Sequence, residues 1–569
     1  MKNHKYIFIV GGVMSGVGKG IACASIGKLL QSRGFRVNPI KIDPYLNVDA
    51  GTMNPKEHGE VFVLESGLEC DQDMGNYERF MDLALLPENY MTNGMVFKTV
   101  IDRERSLGYN GRCVEPLFHI VEESLARIQT SVKKSGADVT IVEIGGTVGE
   151  YQNALFVEAA RTMKLRNPDD VIFVLVSYLP IPHMLGEMKT KPTQYAIRTM
   201  NTYGVNPDII IARAERALDE QRKRKIADFG NIPYENIISA PDVEMIYDVP
   251  LNFDKDGMSD IILNLLHMKG KLKSDMLPWR RMVQKAKKAE DEVTIALIGK
   301  YFKTGDYFLS DVYISVIESL KHAAYLIDCK PKFEWIDSLD YEEDPSLVSK
   351  LSSYDGILVP GGFGARGIEG KIQAIHYVRE KKIPYFGLCY GMQLALIEYA
   401  RNEMGLIDAH TTEVQKKTSH PVIDILPEQV ENLKSGNYGA SMRLGVYPAI
   451  LKKGTIAYSV YSRAKQGRWS NPSSLDDEFT IKERHRHRYE VNPEYVKRFE
   501  EKGIIFSGVS PDRVLMEIME LEREKHPFFV ATQFHPEFTG SLLHPHPLFT
   551  EFVLAATERK KLRKKLSDK

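Results

Sequence analysis

The sequence predicts an α/β protein with two parallel-sheet domains, and three observations support this prediction. Short β-branched and aromatic runs alternate with helical patterns through about residue 265, which predicts a doubly wound parallel sheet. A charged stretch without strand character follows. A new apolar run, residues 293–300, then opens a second series of the same kind. The predicted boundaries are 1–267 and 292–557 for the two domains, 268–291 for a linker and 558–569 for a basic tail.

Composition excludes several classes of protein. The 569 residues carry a formal net charge of −1, which does not indicate a nucleic-acid-binding protein. The five cysteines contain no C-x-x-C pair, which argues against a disulfide framework or a thiolate zinc site. The longest apolar run, residues 171–179, is half a membrane span. We therefore expect a cytoplasmic protein without nucleic-acid or membrane partners, whose basic tail is a solvated helix end.

A glycine-rich stretch near the N-terminus dominates the first half. Residues 6–10 read as a buried strand, residues 11–20 as a glycine turn, and an apolar-periodic helix begins at about Lys19. Inward-turned backbone N–H groups and the helix N-terminus would form a phosphate cradle, with Lys19 reaching the phosphates. The alternative is a tight strand–helix turn whose glycines serve packing only.

This stretch departs from the usual G-x-x-x-x-G-K-[ST] pattern, because the first glycine is displaced to Gly12 and Gly20 replaces the hydroxyl residue that binds Mg²⁺. Metal ligands must then come from elsewhere. Asp73 lies in a long polar stretch, residues 47–77, and Glu143 follows the predicted strand 139–142. Since hard cations prefer carboxylate oxygens, these two residues are a plausible Mg²⁺ pair. Glu143 could instead be a solvated acid at a strand end.

Three further segments of this half carry positive charge. Residues 189–194 place two lysines and two threonines around a proline, which predicts a rigid turn suited to an anionic ligand. Arg213 lies at the tip of a predicted strand, residues 207–213. Four basic residues, 222–225, follow on a helix, and their pattern alone singles out none of them.

The second half contains a strand, a sharp turn and a helix around Cys389, in the frame G-L-C-Y-G. Glycines on both sides permit the strained turn of a nucleophile elbow, here with cysteine in place of serine. The helix N-terminus behind the sulfur favours the thiolate. The alternative is an inert core cysteine.

A base for this nucleophile is available in the segment FVATQFHPEF, residues 529–538. It reads as a strand ending in His535, with Glu537 two residues on and therefore on the same strand face. A carboxylate that orients an imidazole facing a thiolate is a generalised catalytic triad. The N–H of Gly361 or Gly362 and that of Tyr390 could form the oxyanion hole. His485 and His487 are alternative bases.

Taken together, the motifs of both halves resemble those of the CTP synthase family over nearly the full length. They occur in that family's order and spacing: GGVMSGVGKG, KIDPYLNVDAGTMNP, HGEVFV, DQDMGNYERF, VEIGGTVGE, GEMKTKPTQ, VPGGFG, GLCYGMQ, RHRHRYEVN and QFHPEF. The resemblance implies a P-loop-like, dethiobiotin-synthetase-like domain followed by a flavodoxin-like class I glutamine amidotransferase domain. It also implies that ATP phosphorylates the 4-oxygen of UTP and that ammonia from glutamine displaces the phosphate.

The resemblance assigns nucleotide-binding roles to residues of the first half. The residues for ATP would be Ser15, Gly16, Val17, Gly18, Lys19, Gly20 and Asp73, with Arg213 and Val243 flanking the adenine. Asp73 and Glu143 would hold Mg²⁺. The residues for UTP, or for CTP as feedback inhibitor, would be Ser15, Glu150, Gln152, Lys189, Thr190, Lys191, Pro192, Thr193, Gln194 and Lys225.

The resemblance also assigns roles in the second half and in the assembly. Cys389, His535 and Glu537 would be catalytic, and the residues that grip L-glutamine would be Gly362, Gln393, Glu413 and Arg488. His58 would gate the ammonia route. GTP would be an allosteric activator. The assembly would be a homotetramer, a dimer of dimers, with UTP sites shared between subunits, and some members of the family form filaments.

Three positions depart from the family pattern. An acid pair spaced D-x-E in many relatives is Glu150-Tyr151-Gln152 here, so the second acid is an amide. Ala365 stands in the glycine-rich loop implicated in the GTP response, where some relatives carry a larger side chain. Residues 458–478 read as a surface insertion.

Two rival functions remain open at the level of sequence. A cobyrinate-type amidase also joins such an ATPase to a triad glutaminase, but the KTKPTQ and KIDPY segments favour a UTP enzyme. An assembly or partitioning protein could use the glycine loop as a nucleotide switch, but it would have no use for Cys389, His535 and Glu537.

Overall fold

The computed structural model describes residues 4–184, 186–300, 303–304, 307–308, 310–425, 442–464 and 479–567. Its strands, in chain order, are β1 Lys5–Gly12, β2 Val37–Asp43, β3 Val61–Val63, β4 Glu69–Asp71, β5 Tyr90–Thr92, β6 Val139–Ile144, β7 Val171–Tyr178, β8 Ile209–Ala214, β9 Ile237–Pro241, β10 Asp291–Gly299, β11 Lys303–Thr304, β12 Tyr307–Phe308, β13 Cys329–Asp337, β14 Gly356–Val359, β15 Tyr385–Leu388, β16 Ala409–Thr411, β17 His420–Ile425, β18 Arg443–Leu451, β19 Phe479–His487, β20 Tyr489–Val491, β21 Ile505–Val509, β22 Met516–Glu520 and β23 Phe529–Thr532.

The α-helices of the described residues complete the element order. They are α1 Lys19–Ser32, α2 Pro55–His58, α3 Asp73–Met81, α4 Asn93–Arg105, α5 Val121–Ser135, α6 Ala154–Arg166, α7 Lys191–Thr202, α8 Glu220–Gly230, α9 Val249–Lys255, α10 Met258–Leu265, α11 Leu277–Lys288, α12 Ile314–Leu326, α13 Leu339–Glu343, α14 Ile368–Glu380, α15 Tyr390–Asn402, α16 Ile456–Arg463, α17 Pro493–Glu501 and α18 Pro547–Ser567. None of the helices in these ranges is long and apolar enough to cross a membrane.

The chain forms two compact units, and one short segment belongs to a different unit from the one expected. The first unit contains residues 1–50 and 73–283, and the second contains residues 51–72 and 284–569. Residues 51–72, which sequence reasoning left inside the first domain, therefore belong to the second unit. We call them the 51–72 segment below.

A seven-stranded sheet forms the centre of the first unit, in the order β5-β2-β6-β1-β7-β8-β9, with every pair parallel. The central strands are buried on both faces, which explains their nearly continuous apolar runs. Ile7, Phe8 and Ile9 of β1, for example, are fully buried. The predicted doubly wound parallel sheet is confirmed. Its carboxyl edge, where β1, β2 and β6 end, is the usual place for ligand-binding groups in such a sheet.

A nine-stranded sheet forms the centre of the second unit, in the order β13-β10-β14-β15-β23-β22-β21-β18-β19. The first five strands are parallel, as predicted for the α/β domain. The last four continue the sheet in antiparallel pairs, which the sequence analysis did not predict. Among the described residues, β16-β17-β20, β11-β12 and β3-β4 form smaller sheets.

The charged stretches near the boundaries are helical. The stretch predicted as a linker contains α11, whose Trp279 is buried in the first unit and donates its indole N–H to the carbonyl of Tyr247, 2.8 Å away. The basic tail continues α18, and it is not simply solvated. Lys560 donates to the carbonyl of Glu292 at 2.6 Å, and Arg563 to that of Ser353 at 2.7 Å. Of the predicted insertion, residues 465–478 lie outside the described residues.

Candidate functional sites

The glycine loop between β1 and α1 has the geometry that its sequence predicts. Gly16 and Gly18 adopt φ of 69° and 90°, a conformation that favours glycine. The loop is exposed from Val13 to Gly16, whereas the Lys19 side chain is buried and donates to the carbonyl of Gly146 at 2.9 Å. Burial lowers the pKa of Lys19. An exposed backbone concavity beside a lysine and a helix N-terminus is an arrangement that binds phosphates.

Gly20 explains why the usual hydroxyl residue is absent from this loop. A Cβ atom at Gly20 would lie 2.0 Å from Oδ1 of Asp73, which is far closer than atoms can approach. The Asp73 carboxylate therefore occupies the space that a serine or threonine side chain would need. The long polar stretch is partly regular at this point, because Asp73 begins α3.

A lysine joins the two carboxylates predicted from sequence. The ammonium of Lys41 on β2 donates to Asp73 and, at 2.9 Å, to Oε1 of Glu143. Glu143 is fully buried on β6, so it is not a solvated acid at a strand end, and its other oxygen accepts from the Tyr77 hydroxyl. Burial raises the pKa of Glu143. Burial also opposes ionisation of Asp73, but the Lys41 charge outweighs it and keeps the pKa of Asp73 below its ordinary value.

These carboxylates fit a magnesium ion that takes most of its ligands from elsewhere. Two carboxylates supply hard oxygen donors, and the absence of a side chain at Gly20 makes room for the Asp73 carboxylate beside the glycine loop. No group of three or more His, Cys, Asp or Glu side chains within the described ranges is arranged to hold a metal. Mg²⁺ typically binds to one or two carboxylates together with water and substrate phosphates, which agrees with a pair rather than a cage.

Gln152, which stands where many relatives carry an acid, contacts the neighbouring Glu150. Glu150 Oε1 accepts from the Thr147 backbone N–H at 3.0 Å, and Gln152 donates its amide to Oε2 at 2.7 Å. Burial of Glu150 is outweighed by these donors, so its pKa lies below the ordinary value. The amide thus stabilises the Glu150 carboxylate, whereas a second acid would repel it.

The predicted turn at residues 189–194 is partly the start of a helix. Lys191 begins α7, and Pro192 occupies the first turn, where its missing N–H costs nothing. Thr190, Thr193 and Gln194 are buried, while Lys191 is exposed. Lys189 pairs with Glu187 at 2.6 Å. Ser15 and, on α8, Lys225 are also exposed.

A cavity of about 390 Å³ opens beside the glycine loop, within the first unit. Gly18, Arg213, Val243 and Ile246 are among its lining residues. Arg213 lies near the end of β8, and its guanidinium donates to Asp242 at 2.9 Å. The cavity therefore combines an apolar wall with a fixed cation, a suitable shape for a planar heterocycle attached to phosphates.

Cys389 stands at a strained turn in the second unit, between β15 and α15. Its backbone adopts φ 49° and ψ −97°, an unusual conformation for a residue other than glycine. Its N–H donates to the carbonyl of Thr532 at 2.6 Å, which fixes the turn against β23. Around Sγ lie the amide nitrogen of Gln533 at 3.6 Å and the carbonyl of Arg486 at 3.9 Å. The predicted nucleophile-elbow geometry is present.

His535 and Glu537 meet, but not as neighbours on a strand. β23 ends at Thr532, and Glu537 lies in a 3₁₀ turn, Pro536–Phe538, so the predicted shared strand face was wrong. The turn, which Pro536 favours at its first position, brings Oε1 of Glu537 to 2.7 Å from Nδ1 of His535. Burial would lower the pKa of His535, but the charges of Glu537 and of the Cys389 sulfur outweigh it and raise this pKa to about 10.

Neither alternative base is placed at the thiol. Nε2 of His485 lies 2.7 Å from Glu517, and both side chains are fully buried. Burial holds the pKa of His487 well below its ordinary value. Neither histidine lines the cavity beside Cys389.

The loop after β14 is held close to the thiol. A Cβ atom at Gly361 would lie 2.9 Å from Cε1 of His535 and 3.8 Å from Cβ of Cys389. The N–H of Gly364 donates to Glu413 at 2.8 Å, while its carbonyl accepts from the Tyr390 hydroxyl at 3.1 Å. The same carbonyl accepts from the ammonium of Lys300, also at 3.1 Å. These bonds fix the backbone of the loop against α15.

The residues expected to hold glutamine surround this loop and α15. Gly362 lies beside Tyr390 and two lysines, Lys300 and Lys371. Gln393 is buried and donates to the carbonyl of Tyr489 at 3.0 Å. Burial raises the pKa of Glu413. Arg488 is half-buried beyond β19.

A cavity of about 210 Å³ lies above Cys389, and both parts of the second unit line it. The second half contributes Gly361, Gly362, Phe363, Cys389, His535 and Glu537. The 51–72 segment contributes Gly51, Thr52, Met53, Pro55, Glu60 and Val61. His58 itself is exposed at the end of α2 and is not one of the lining residues.

Sequence reasoning missed several residues at these sites. The position of Lys41 at the end of a predicted strand indicated a ligand-binding group, but its pairing with Asp73 and Glu143 was not predicted. Glu60 and Arg486 stand in quoted motifs, but nothing local connects them to Cys389. Lys371 on α14 is fully buried with no hydrogen-bond partner among the described residues, and no sequence signal marks it.

Family models of known proteins match both halves of the chain. Residues 5–268 match the family model described as "CTP synthase N-terminus", and residues 308–555 match "Glutamine amidotransferase class-I". A CTP synthase of Thermococcus gammatolerans is 46% identical over 98% of this chain and 99% of its own length. One from Halalkalibacterium halodurans is 44% identical over the same shares. A solved glutaminase domain of Trypanosoma brucei CTPS with bound acivicin is 34% identical over 47% of this chain and 94% of its own, with a TM-score of 0.40.

Proposed function

Because the chain belongs to the CTP synthase family, we propose that the residues described above divide its reaction between a thiol site and a nucleotide site. The chain is a glutamine-hydrolysing ligase that converts UTP to CTP with ATP. The assignment of residues rests on the arrangement of Cys389, His535 and Glu537. A strained turn presents the thiol, and a carboxylate 2.7 Å from Nδ1 orients the imidazole.

At the thiol site, the Cys389 thiolate attacks the side-chain amide carbon of glutamine. The oxygen becomes an oxyanion, held by the N–H of Gly361 or Gly362 and that of Tyr390. His535 then gives its proton to the departing nitrogen, and ammonia leaves as the thioester forms. Water, deprotonated by His535, releases glutamate and restores the thiol. Glu537 stabilises the imidazolium throughout, which agrees with the raised pKa of His535.

Glutamine itself is held through its α-amino and α-carboxyl groups. We assign Glu413 and Arg488 to these charges, and Gly362 and Gln393 to backbone and amide contacts. Glu413 supports this assignment because its half-buried carboxylate accepts from the N–H of Gly364, in the loop that Gly361 begins. Ammonia would leave along the 51–72 segment, where we assign His58 a gating role.

At the nucleotide site, the glycine loop from Ser15 to Gly20 holds the phosphates of ATP, and Lys19 stabilises the transferring phosphoryl group. Arg213 and Val243 enclose the adenine in the 390 Å³ cavity. Asp73 and Glu143 would hold Mg²⁺, which would neutralise phosphate charge. The 4-oxygen of UTP attacks the γ-phosphorus, ADP leaves, and ammonia then displaces phosphate from C4 to give CTP.

The pyrimidine nucleotide would be held by the second set of residues. They are Ser15, Glu150, Gln152, Lys189, Thr190, Lys191, Pro192, Thr193, Gln194 and Lys225. CTP bound to part of the same set would inhibit the enzyme. In the proposed homotetramer, neighbouring subunits would share this site, and the exposed Lys225 would be one of its contacts. Activation by GTP and filament formation belong to the same proposal.

Absorbance at the wavelengths that separate CTP from UTP tests the assignment. The full chain receives ATP, Mg²⁺ and UTP with either glutamine or ammonium, and Cys389→Ala is compared with wild type. We expect Cys389→Ala to lose the glutamine reaction and to keep the ammonium reaction. Loss of both reactions, or retention of both, would contradict the division into two sites.

A further inference from the structure

The 51–72 segment contributes a hairpin to the glutaminase unit. Its strands β3 and β4 pair with each other, and the turn between them docks on β18, where the N–H of Val446 donates to the carbonyl of Glu65 at 3.0 Å. Arg484 on β19 donates to the carbonyl of Val63 at 3.0 Å. The Phe62 ring packs at 5.1 Å on Phe538, whose own ring stacks on His535. The hairpin therefore reaches the surroundings of the catalytic histidine.

Glu69 on β4 forms a buried ion pair with β19. Its side chain is almost fully buried, and Oε1 accepts from Nε of Arg486 at 2.8 Å. The two residues are 417 positions apart in the chain. Desolvation of two charges cancels much of their attraction, so a buried pair adds little to stability, and removal of one partner leaves the other charge buried and uncompensated. Such a pair fixes the relative positions of its two side chains more than it stabilises the fold.

Arg486 connects this ion pair to two parts of the thiol site. Its backbone carbonyl lies 3.9 Å from Sγ of Cys389. Its guanidinium lies over the ring of Phe363, 5.3 Å from the ring centre, in the loop that follows Gly361 and Gly362. Arg486 also lines the cavity above the thiol. A shift of this one residue would thus disturb the nucleophile and the oxyanion-binding loop together.

We propose that Glu69 is a positioning residue for glutamine hydrolysis, which acts by holding Arg486 in contact with Cys389 and Phe363. The proposal rests on the proposed function of Cys389. It means that the glutaminase site depends on a carboxylate encoded in the N-terminal half, four residues before Asp73. Glu60 supports the same placement of the hairpin, because its carboxylate accepts from the N–H of Ser315 at the start of α12 at 3.2 Å.

The test compares substitutions of Glu69 in the full-length chain. Glu69→Ala removes the acceptor, and Glu69→Gln keeps an oxygen acceptor without the charge. Glu65→Ala is the matched control, since Glu65 lies in the same hairpin, is half exposed, and approaches Arg484 only to 3.8 Å. Glutamine hydrolysis and ammonium-dependent CTP formation are measured for each variant. Arg486→Ala and the double variant Glu69→Ala/Arg486→Ala complete a double-mutant cycle.

We expect Glu69→Ala to lower kcat of glutamine hydrolysis by about 10- to 100-fold, the effect of a misplaced reacting group. KM for glutamine should change by less than about threefold, because substrate binding is not the step affected. Glu69→Gln should retain more activity than Glu69→Ala, and Glu65→Ala should match wild type. The double variant should lose no more than Arg486→Ala alone, since both changes break one interaction.

Three outcomes would overturn the proposal. A wild-type kcat in Glu69→Ala would show that the pair does not position the site. An equal loss of the ammonium-dependent reaction would show that Glu69 serves only the fold. Additive losses in the double variant would show that Glu69 acts by another route. If wild type itself hydrolyses no glutamine, the proposed function fails as well, so the two failures are distinguishable.

Discussion

The carboxylate of Asp73 lies against the α-carbon of Gly20, in the space where a side chain at position 20 would stand. A Cβ atom there would be 2.0 Å from Oδ1 of Asp73. In the usual phosphate-binding loop this position carries the hydroxyl that binds Mg²⁺. Here a carboxylate from the start of α3 takes that place, so the glycine and the acid form one functional unit.

Restoring the usual residue should therefore damage the site. Gly20→Ser forces Asp73 away from its position beside Lys41, and we expect CTP formation to fall by about 100-fold with either nitrogen source. The measurement is ATP-dependent CTP formation from ammonium. Glutamine hydrolysis without nucleotides serves as the control and should stay close to the wild-type rate. A wild-type ammonium rate in Gly20→Ser would mean that Asp73 is not needed where it stands.

Arg213 should determine the affinity for ATP. Its guanidinium lines the 390 Å³ cavity and is fixed by Asp242. Loss of a hydrogen bond from a charged group costs about 1.5–3 kcal/mol, so Arg213→Ala should raise KM for ATP by roughly 10- to 150-fold. KM for UTP should not change. Steady-state kinetics with ammonium measure both constants, and exposed Arg216, changed to alanine, is the matched control. An unchanged KM for ATP would place the adenine elsewhere.

Glu537 should control the protonation of His535. Its carboxylate is the largest of the charges that raise the pKa of His535 to about 10. In Glu537→Gln this pKa should fall, because burial then acts with less opposition. The imidazole would also lose its preferred tautomer, and kcat of glutamine hydrolysis should drop by about 10²–10⁴-fold, as in other triads. NMR titration of His535 and glutaminase kinetics measure the two effects.

The same interaction predicts how stability depends on pH. The folded chain keeps the His535 proton up to about pH 10, whereas the unfolded chain releases it near 6.5. This contribution to the free energy of unfolding is therefore complete below pH 6.5 and is lost as pH rises towards 10. Glu537→Gln should weaken this loss, as thermal denaturation across this pH range would show. An identical pH dependence in the variant would contradict the assigned partner.

Lys371 should reduce stability near neutral pH. Burial, followed by the charge of Lys300, lowers its pKa to about 7, and Asp337 only partly compensates. Between pH 7 and 10.5 the unfolded chain binds more protons at this site, so the free energy of unfolding rises with pH. Lys371→Met should remove this slope and stabilise the glutaminase unit at pH 7 by roughly 1–4 kcal/mol. Denaturation midpoints at pH 7 and pH 10 test this, and a variant less stable at pH 7 would contradict it.

Features that depend on neighbouring residues were predictable from the sequence. The strand, loop and helix around Lys19 and the elbow at Cys389 each follow from a single short stretch, and the structure contains both. The pairing of His535 with Glu537 was also predicted, but for the wrong reason, because Pro536 ends the extended chain and forms a turn. The local sequence pattern predicted which two residues are close, but it did not predict the secondary-structure element that brings them together.

Features that depend on distant residues were not predictable. The contact of Glu69 with Arg486 joins two strands 417 residues apart, and neither sequence neighbourhood refers to the other. The four antiparallel strands that extend the second sheet were unpredictable for the same reason. β18 and β19 pair with each other although residues 452–478 separate them in the sequence. Lys371 lies on a helix whose pattern does not distinguish a buried lysine from a solvated one.

The 51–72 segment also has a consequence for biosynthesis. The ribosome completes the hairpin early, but Arg486, the partner of Glu69, is added 417 residues later. At 5–20 residues per second this delay is about 20–80 s, during which the contacts of Phe62 with Phe538 and of Val63 with Arg484 cannot form. The nascent chain must therefore carry an apolar strand, Val61–Val63, without these contacts through most of its synthesis.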